Sequence, residues 1–123
     1  GVLHAAGVLA DGPMEAKSQA DVERVLGPKV HGTLVLEEVL QGQALDFLVL
    51  FSSTSVQVAP AGQVDYVAAN AFLDAYAARQ GKPAGRLDLA VGWGVWSEVG
   101  MAARLTQPAI RQARVEALPA STP

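Results

Sequence analysis

The hydrophobic positions of this chain form short apolar segments, which are separated by longer stretches with helical spacing. Residues 2–4 and 45–51 are apolar at almost every position, and a third strand is expected over 87–93. A strand that is apolar on both faces must be covered on both faces, which is typical of a parallel sheet. The pattern therefore predicts three parallel strands.

The stretch after the first strand predicts a helix, because its apolar residues recur with a helical period at Val22, Val25, Leu26, Val30, Leu34, Val35 and Val39. Ser18, with Asp21 three residues later, is a weaker relative of the capping box that begins many helices. Pro28 interrupts the pattern, and the first turn of a helix tolerates proline well. The simplest prediction is a short helix near 19–26 and a second helix near 28–41.

An alanine-rich stretch after the second strand predicts a longer helix over 63–80, preceded by a loop over 56–62. The order strand, helix, strand, helix, strand corresponds to two βαβ units with right-handed crossovers. The expected fold class is therefore α/β, with a doubly wound parallel sheet. Residues 97–107 are expected to be helical, and residues 108–123 to form a linker-like tail.

Small and polar residues follow each predicted strand. Ligands of parallel α/β sheets bind beyond the carboxyl ends of the strands. In this sequence those ends are His4-Ala5-Ala6-Gly7, Ser52-Ser53-Thr54 and Trp93-Gly94.

Composition narrows the classes of function. Half of the 123 residues are hydrophobic and 17% are charged, so the chain is not intrinsically disordered. A net charge of −3 without a Lys/Arg cluster argues against nucleic acid as a partner, and no segment has the ~18–20 consecutive apolar residues of a membrane span. The lack of cysteine excludes thiolate chemistry and fits a reducing cytosol. The chain begins without Met inside a predicted strand, so we expect it to be part of a longer protein.

Tyr66 and Asn70 lie four residues apart, on one face of the predicted long helix. A tyrosine acts as an acid or base near neutral pH when a cation close by stabilises its phenolate form. This spacing is common by chance, and an interfacial tyrosine beside an exposed asparagine is the plainer interpretation of the pair alone.

Ser53 and Lys29 each allow two interpretations. Ser53 could bind a backbone group in a turn, or it could hydrogen-bond a substrate carbonyl beside Tyr66. A serine nucleophile is disfavoured, because no Gly-x-Ser-x-Gly motif surrounds it. Lys29 could be solvated at the end of its long stem. Its helix also leads into the strand that carries Ser53, which would allow it to approach Tyr66.

Five motifs occur in a fixed order: His4-Ala5-Ala6-Gly7, Pro28-Lys29-Val30-His31-Gly32, Phe51-Ser52-Ser53, Gly62-Gln63-x-x-Tyr66-x-x-x-Asn70-Ala71-Phe72-Leu73-Asp74 and Trp93-Gly94-x-Trp96. From residue 1 to about residue 105, the chain resembles the ketoreductase domain of modular type I polyketide synthases. That family is a branch of the short-chain dehydrogenase/reductases. The fold implied is Rossmann-type.

The resemblance implies a catalytic tetrad. Tyr66 would protonate the ketone oxygen as hydride arrives, and Ser53 would hydrogen-bond the same oxygen. Lys29 and Asn70 would orient the nicotinamide ribose and stabilise the phenolate form of Tyr66. Other members of the superfamily carry Tyr-x-x-x-Lys, so the present Tyr-x-x-x-Asn fits the exchange of Lys and Asn that is typical of this branch.

The resemblance also implies NADPH as the cofactor. Ala5, Ala6 and Gly7 would lie against it, together with Trp93 and Gly94, and with Lys29 and Tyr66 of the tetrad. The glycine-rich phosphate-binding turn of the superfamily is absent from this sequence. Residues 1–107 therefore correspond to the second half of a ketoreductase catalytic subdomain, whose first βαβ units are missing, and residues 108–123 to a tail.

The substrate implied is a β-ketoacyl thioester on the phosphopantetheine arm of an acyl carrier protein. The implied partners are that carrier, the remaining half of the ketoreductase and neighbouring synthase domains. The implied location is the cytoplasm. We expect the fragment alone to be inactive. Two alternatives remain: a structural or inactive ketoreductase-like subdomain, and a free-standing short-chain reductase. The intact tetrad argues against the first, and the Lys/Asn exchange with the linker-like tail argues against the second.

Stereochemical control is expected from residues around the substrate groove: Asp11, Val58 and Met101. One class of the family carries Leu-Asp-Asp after the first motif, where this chain has Leu9-Ala10-Asp11. The opposite class has a Trp eight residues before the tyrosine, where this chain has Val58. The B-type outcome, a D-configured 3-hydroxyl, is therefore expected, with an ordinary Asp-Gly turn as the alternative role of Asp11.

The remaining aromatic and imidazole side chains are interpreted as structural. His4 and His31 have no acidic ligand set around them that would indicate a metal. Trp96 is expected to pack in the core.

Overall fold

Three strands, β1 (Val2–His4), β2 (Phe47–Ser53) and β3 (Leu87–Trp93), form one parallel sheet in that order. The structure is a computed structural model, and it describes residues 1–95. The predicted parallel α/β arrangement is confirmed. Strand β2 begins and ends two residues later than predicted, because Ser52 and Ser53 continue the ladder opposite Gly92 and Trp93.

Helix α1 (Gln19–Leu26) has the predicted bounds and the predicted cap. The Ser18 hydroxyl accepts a hydrogen bond from the Asp21 N–H, and the Asp21 carboxylate accepts one from the Ser18 N–H, which completes a capping box.

The prediction that Pro28 begins a separate second helix is wrong. A π-helical turn, Gly27–His31, follows α1 directly and leads into α2 (Gly32–Val39) without leaving the right-handed helical region. Proline has no N–H to donate. The chain accommodates it by a wider turn, in which the Gly32 N–H donates to the Gly27 carbonyl.

Helix α4 (Val64–Ala78) lies within the predicted long helix and covers β2. Its residues Leu73, Tyr76 and Ala77 form the buried core with Leu48 and Leu50 of β2. This packing explains why β2 is apolar, and it fixes the start of α4 close to the carboxyl end of β2.

The stretch between β2 and α4 is not wholly a loop as predicted, because Ser55–Val58 form one helical turn, α3. Ala59 ends that turn in the left-handed region, at φ 47°. Three predictions lie outside the described residues: the helix over 97–107, the tail over 108–123 and the core position of Trp96. Within residues 1–95, no helix has the length and apolar character needed to cross a membrane.

A buried polar network joins the opposite end of the sheet to the helices. Asp88 of β3 accepts hydrogen bonds from Arg86 and Arg79, and Glu37 of α2 accepts them from Arg86 and from the Tyr76 hydroxyl. Burial alone would raise the pKa of Asp88, but the hydrogen bonds from the two arginines lower it overall. Burial and the bond to Glu37 raise the pKa of Tyr76 to about 12.

Candidate active site

Lys29 is buried in the π-helical turn, and its ammonium group points to the end of β2. Its side chain donates from Nζ to the Phe51 carbonyl oxygen at 2.6 Å, and the residue is 4% exposed. Burial lowers the pKa of Lys29 to about 8. The solvated alternative for Lys29 is therefore wrong, and isolated π-helical turns are frequent at functional sites.

Tyr66 stands in the first turn of α4, next to this lysine. Lys29 Nζ is 6.0 Å from the centroid of the Tyr66 ring, at the outer limit of a cation–π contact. A phenol needs a nearby cation for proton transfer near neutral pH. The structure places such a cation, the Lys29 ammonium, beside Tyr66.

Asn70 is fully buried one turn further along α4, so the plainer interpretation of an exposed asparagine is wrong. The Asn70 Nδ2 donates to the Tyr66 carbonyl at 2.7 Å, and the Asn70 backbone carbonyl accepts a hydrogen bond from the Ser52 hydroxyl at 3.3 Å. Within residues 1–95, its Oδ1 has no hydrogen-bond partner. A buried amide oxygen without a partner is costly, so it is an acceptor available for a ligand.

Ser53 is the last residue of β2 and is half-buried. Its Oγ accepts a hydrogen bond from the Ser55 N–H at 3.1 Å, which is the turn role considered above. A serine hydroxyl that accepts one bond can still donate its own hydrogen. The turn role and a bond to a substrate oxygen are therefore compatible.

The small residues and one tryptophan lie at the same edge of the sheet. Trp93 pairs with Ser53 in the ladder, and its ring centroid is 5.4 Å from that of Phe51. The Thr54 N–H donates to the Trp93 carbonyl at 3.0 Å, which closes β2 against β3. Gly94 follows β3 and is exposed. After β1, Ala5 and Ala6 are exposed and Gly7 is half-buried.

Asp11 belongs to a loop that lies against the segment before α4. The Gln63 Nε2 donates to Asp11 Oδ2 at 2.7 Å, and the Gly12 N–H donates to the Gly62 carbonyl at 2.9 Å. Gly62 adopts a positive φ of 81°, which favours glycine, and a Cβ there would lie 3.4 Å from the Gly12 oxygen. Asp11 therefore bonds across to a second loop, beyond any role in its own turn.

Of the other two residues proposed for stereochemical control, the structure describes only Val58. Val58, in α3, is 72% exposed. Met101 lies outside the described residues.

His4 is buried beside the turn that carries Lys29, whereas His31 is exposed. Burial lowers the pKa of His4, as does the charge of Lys29, while a hydrogen bond with the backbone of Pro28 acts in the opposite direction. No group of three or more His, Asp or Glu side chains within residues 1–95 is arranged to hold a metal ion.

Sequence reasoning missed one buried ion pair in this region, between Lys17 and Asp65. The two residues are 48 positions apart. Neither a sequence motif nor helical spacing connects them. They meet because the loop before α1, which contains Asp11, packs against the start of α4.

Comparison with known proteins gives a consistent match. The family model described as "KR domain" matches residues 1–98. Polyketide synthase PksN of Bacillus subtilis is 40% identical over 108 residues, which cover 84% of this chain and 2% of the synthase. The 6-methylsalicylic acid synthase of Aspergillus terreus is 46% identical over 103 residues, covering 84% of this chain and 6% of that protein.

Solved structures agree with these relatives. A structure of A-type ketoreductases from a modular polyketide synthase matches with a TM-score of 0.75 and 35% identity, over 92% of this chain and 23% of its own. The ketoreductase from the first module of phoslactomycin biosynthesis in Streptomyces sp. HK803 matches with a TM-score of 0.74 and 39% identity, over 91% of this chain and 25% of its own. The chain thus spans only a small part of each relative.

Proposed function

Because this chain belongs to the KR domain family of polyketide synthases, we propose that it supplies the catalytic part of an NADPH-dependent β-ketoacyl reductase. The substrate proposed is a β-ketoacyl thioester on an acyl carrier protein, and the product is the 3-hydroxyacyl thioester. The observation that carries the proposal is the approach of the buried Lys29 ammonium to the Tyr66 ring, at 6.0 Å from its centroid.

The roles proposed for the side chains follow from their chemistry. Tyr66 donates its phenolic proton to the ketone oxygen, and the adjacent Lys29 charge stabilises the phenolate that remains. Ser53 donates a hydrogen bond to the same oxygen, where negative charge develops. Asn70 contributes its unpartnered Oδ1, and its Nδ2 bond to the Tyr66 carbonyl stiffens the turn of α4 that carries the phenol.

A nicotinamide cofactor fits this edge of the sheet at its ribose end. The buried Lys29 ammonium and the unpartnered Asn70 Oδ1 offer a donor and an acceptor for ribose hydroxyls. The small, exposed Ala5 and Ala6 allow a ring to approach the backbone. When bound, NADPH supplies the hydride that adds to the ketone carbon. The sequence holds no glycine-rich turn for the pyrophosphate. That group is common to NADH and NADPH, so the choice of NADPH is proposed from the family resemblance alone.

Apolar side chains left exposed in the described part support the proposed partner, the remaining half of the ketoreductase. Leu3 on the edge strand β1 is 64% exposed, and Leu34, Val35 and Val39 are exposed on α2. Exposed apolar surface of this kind marks an interaction surface. Neighbouring synthase domains and the acyl carrier protein complete the proposed partners, and a cytoplasmic location stays a prediction.

We propose a B-type, D-configured product on the basis of Asp11 and Val58. The solved relatives include A-type ketoreductases, so membership of the family alone does not decide the stereochemical class. The position of Asp11, held by Gln63 beside the start of α4, supports a role for its loop at one side of the substrate groove.

The full-length ketoreductase domain that contains this chain tests the proposal. Purified domain, NADPH and a β-ketoacyl thioester of N-acetylcysteamine should give NADPH oxidation and one equivalent of 3-hydroxyacyl thioester. A folded domain that binds NADPH and yields no product would overturn the enzymatic function in favour of an inactive, structural subdomain. Reduction of simple ketones in preference to β-ketoacyl thioesters would favour the free-standing reductase.

A further inference from the structure

A buried ion pair anchors the loop that precedes α1 to α4, the helix that carries Tyr66. Lys17 Nζ is 2.8 Å from Asp65 Oδ2, and the two side chains are 5% and 1% exposed. The same ammonium group also donates to the Ala10 carbonyl at 2.5 Å. Residues 8–17, here called the groove loop, include the short 3-10 turn Met14–Ala16. Lys17 at the end of this loop therefore binds both an earlier residue of the loop and α4.

Asp65 connects this contact to the proposed proton donor. It is the residue before Tyr66, and its Oδ1 accepts a hydrogen bond from the Tyr66 N–H at 2.9 Å. The first turn of α4 needs such an acceptor, since the side chain of Gln63 at the N-cap accepts no hydrogen bond from the backbone N–H groups of that turn. One carboxylate thus holds the Tyr66 backbone with one oxygen and the groove loop with the other.

Two further contacts lie along the same loop. They are the Gln63–Asp11 hydrogen bond, which is exposed to solvent, and the Gly12–Gly62 backbone bond. An exposed polar bond competes with water, whereas a buried charge pair cannot be exchanged for water without opening the loop. The Lys17–Asp65 pair therefore resists displacement of the groove loop from α4 more strongly than the exposed Gln63–Asp11 bond does.

We propose that Lys17 and Asp65 are positioning residues that fix the groove loop relative to Tyr66, and thereby fix how the acyl substrate lies beside the phenol. This inference rests on the proposed ketone reduction. The pair contributes through geometry: a displaced loop leaves the Tyr66 chemistry available but lets the substrate bind loosely and in both orientations.

The test uses Lys17→Met in the full-length domain, because methionine keeps the length of the apolar stem and removes the charge. We expect KM for the β-ketoacyl thioester to rise by about tenfold or more, the enantiomeric excess of the product to fall, and the affinity for NADPH to stay unchanged. Arg24→Met is the matched control, because Arg24 pairs with Asp21 at 3.5 Å on the exposed surface. It should change neither KM nor the enantiomeric excess.

Two further variants separate positioning from simple stability. Lys17→Met with Asp65→Asn removes both charges of the pair and keeps an Oδ1 acceptor for the Tyr66 N–H, so a folded protein is expected even where the single variant fails to fold. Lys17→Arg should retain both the low KM and the enantiomeric excess. A Lys17→Met or double variant with wild-type KM and wild-type enantiomeric excess would overturn the proposal, whatever its melting temperature.

Hydrogen exchange keeps this inference distinguishable from the ketone reduction itself. In the charge-deleted variants the Gly12 amide, bonded to the Gly62 carbonyl, should exchange faster, while amides of β2 stay protected. A wild-type domain that reduces no thioester would refute the proposed function. Unchanged exchange at Gly12 would refute the anchoring of the loop independently of any turnover.

Discussion

Lys29 and Tyr66 lie on different helical elements, yet Lys29 Nζ is 6.0 Å from the centroid of the Tyr66 ring. The π-helical turn at Pro28 presents the lysine, and its bond to the Phe51 carbonyl holds the ammonium at the end of β2. Helix α4 packs on that same strand, so Tyr66 is positioned by the core. The cation and the phenol are therefore brought together by the sheet itself, without a shared sequence motif.

Replacing Tyr66 by phenylalanine removes the proposed proton donor and keeps the ring. In the full-length domain, single-turnover NADPH oxidation with a β-ketoacyl thioester should slow by about 10² or more, since general acid catalysis contributes that much. NADPH affinity should change little. Tyr76→Phe is the matched control on the same helix, because Tyr76 bonds Glu37 away from the site and should keep normal turnover. Near-normal turnover of Tyr66→Phe would remove Tyr66 from the acid role.

The buried ammonium of Lys29 gives a stability difference that depends on pH. Its pKa is about 8 in the folded chain against 10.5 for an unperturbed lysine, so the unfolded state binds more protons between these values. The free energy of unfolding should therefore rise as pH increases from about 8 to 10.5, and fall as pH drops through that window. Lys29→Met should remove this slope. Denaturant unfolding of both proteins at pH 8 and pH 10 measures it, and equal slopes would place the Lys29 charge in solvent.

The network around Asp88 predicts a loss of stability without a direct loss of chemistry. The Asp88 and Arg86 side chains are 0% and 6% exposed, and Asp88 lies near the amino end of β3, away from Trp93. Asp88→Asn removes the buried carboxylate and leaves Glu37 as the remaining carboxylate partner of Arg79 and Arg86. Weakening these hydrogen bonds to charged groups should cost about 1–3 kcal/mol. Calorimetry should show the lowered stability, while kcat per folded molecule at low temperature stays at the wild-type value. A lowered kcat in the folded variant would contradict this separation.

The fold was predictable from sequence wherever local chemistry decides it. The apolar strands, the Ser18–Asp21 cap and the long alanine-rich helix follow from short-range patterns, and all appear in the structure. The predicted break at Pro28 is absent, because a π-helical turn accommodates the missing N–H without ending the helix. Sequence rules based on neighbouring residues alone treat proline as the start or the end of a helix.

The candidate site was only partly predictable, because its decisive contacts are long-range. The four-residue spacing of Tyr66 and Asn70 is visible in the sequence, but the complete burial of Asn70 is not. The Lys17–Asp65 pair joins two polar residues of segments that look solvated in the sequence. Such contacts depend on how the loop before α1 docks on α4, which no periodicity encodes.

The stereochemical prediction concerns the two sides of the groove beside Tyr66. A substrate can enter the groove from either side. The side of entry decides which face of the ketone is turned toward the hydride. Asp11 is held beside α4 by Gln63, and the exposed Val58 leaves the other loop without a bulky ring. We therefore expect the D-configured 3-hydroxyacyl product from an unbranched β-ketoacyl thioester, measured by chiral chromatography.

Variants of the two loops test the physical basis of that stereochemistry. Val58→Trp places a bulky ring on the α3 side and should move the product ratio toward the L enantiomer, whereas Val58→Ala, the matched control, should leave it unchanged. Asp11→Ala removes the carboxylate that Gln63 binds and should lower the enantiomeric excess. A wild-type product that is predominantly L would refute the B-type assignment. Asp11 would then keep only its hydrogen bond with Gln63, because Asp11 and Val58 could not select the ketone face that an L product requires.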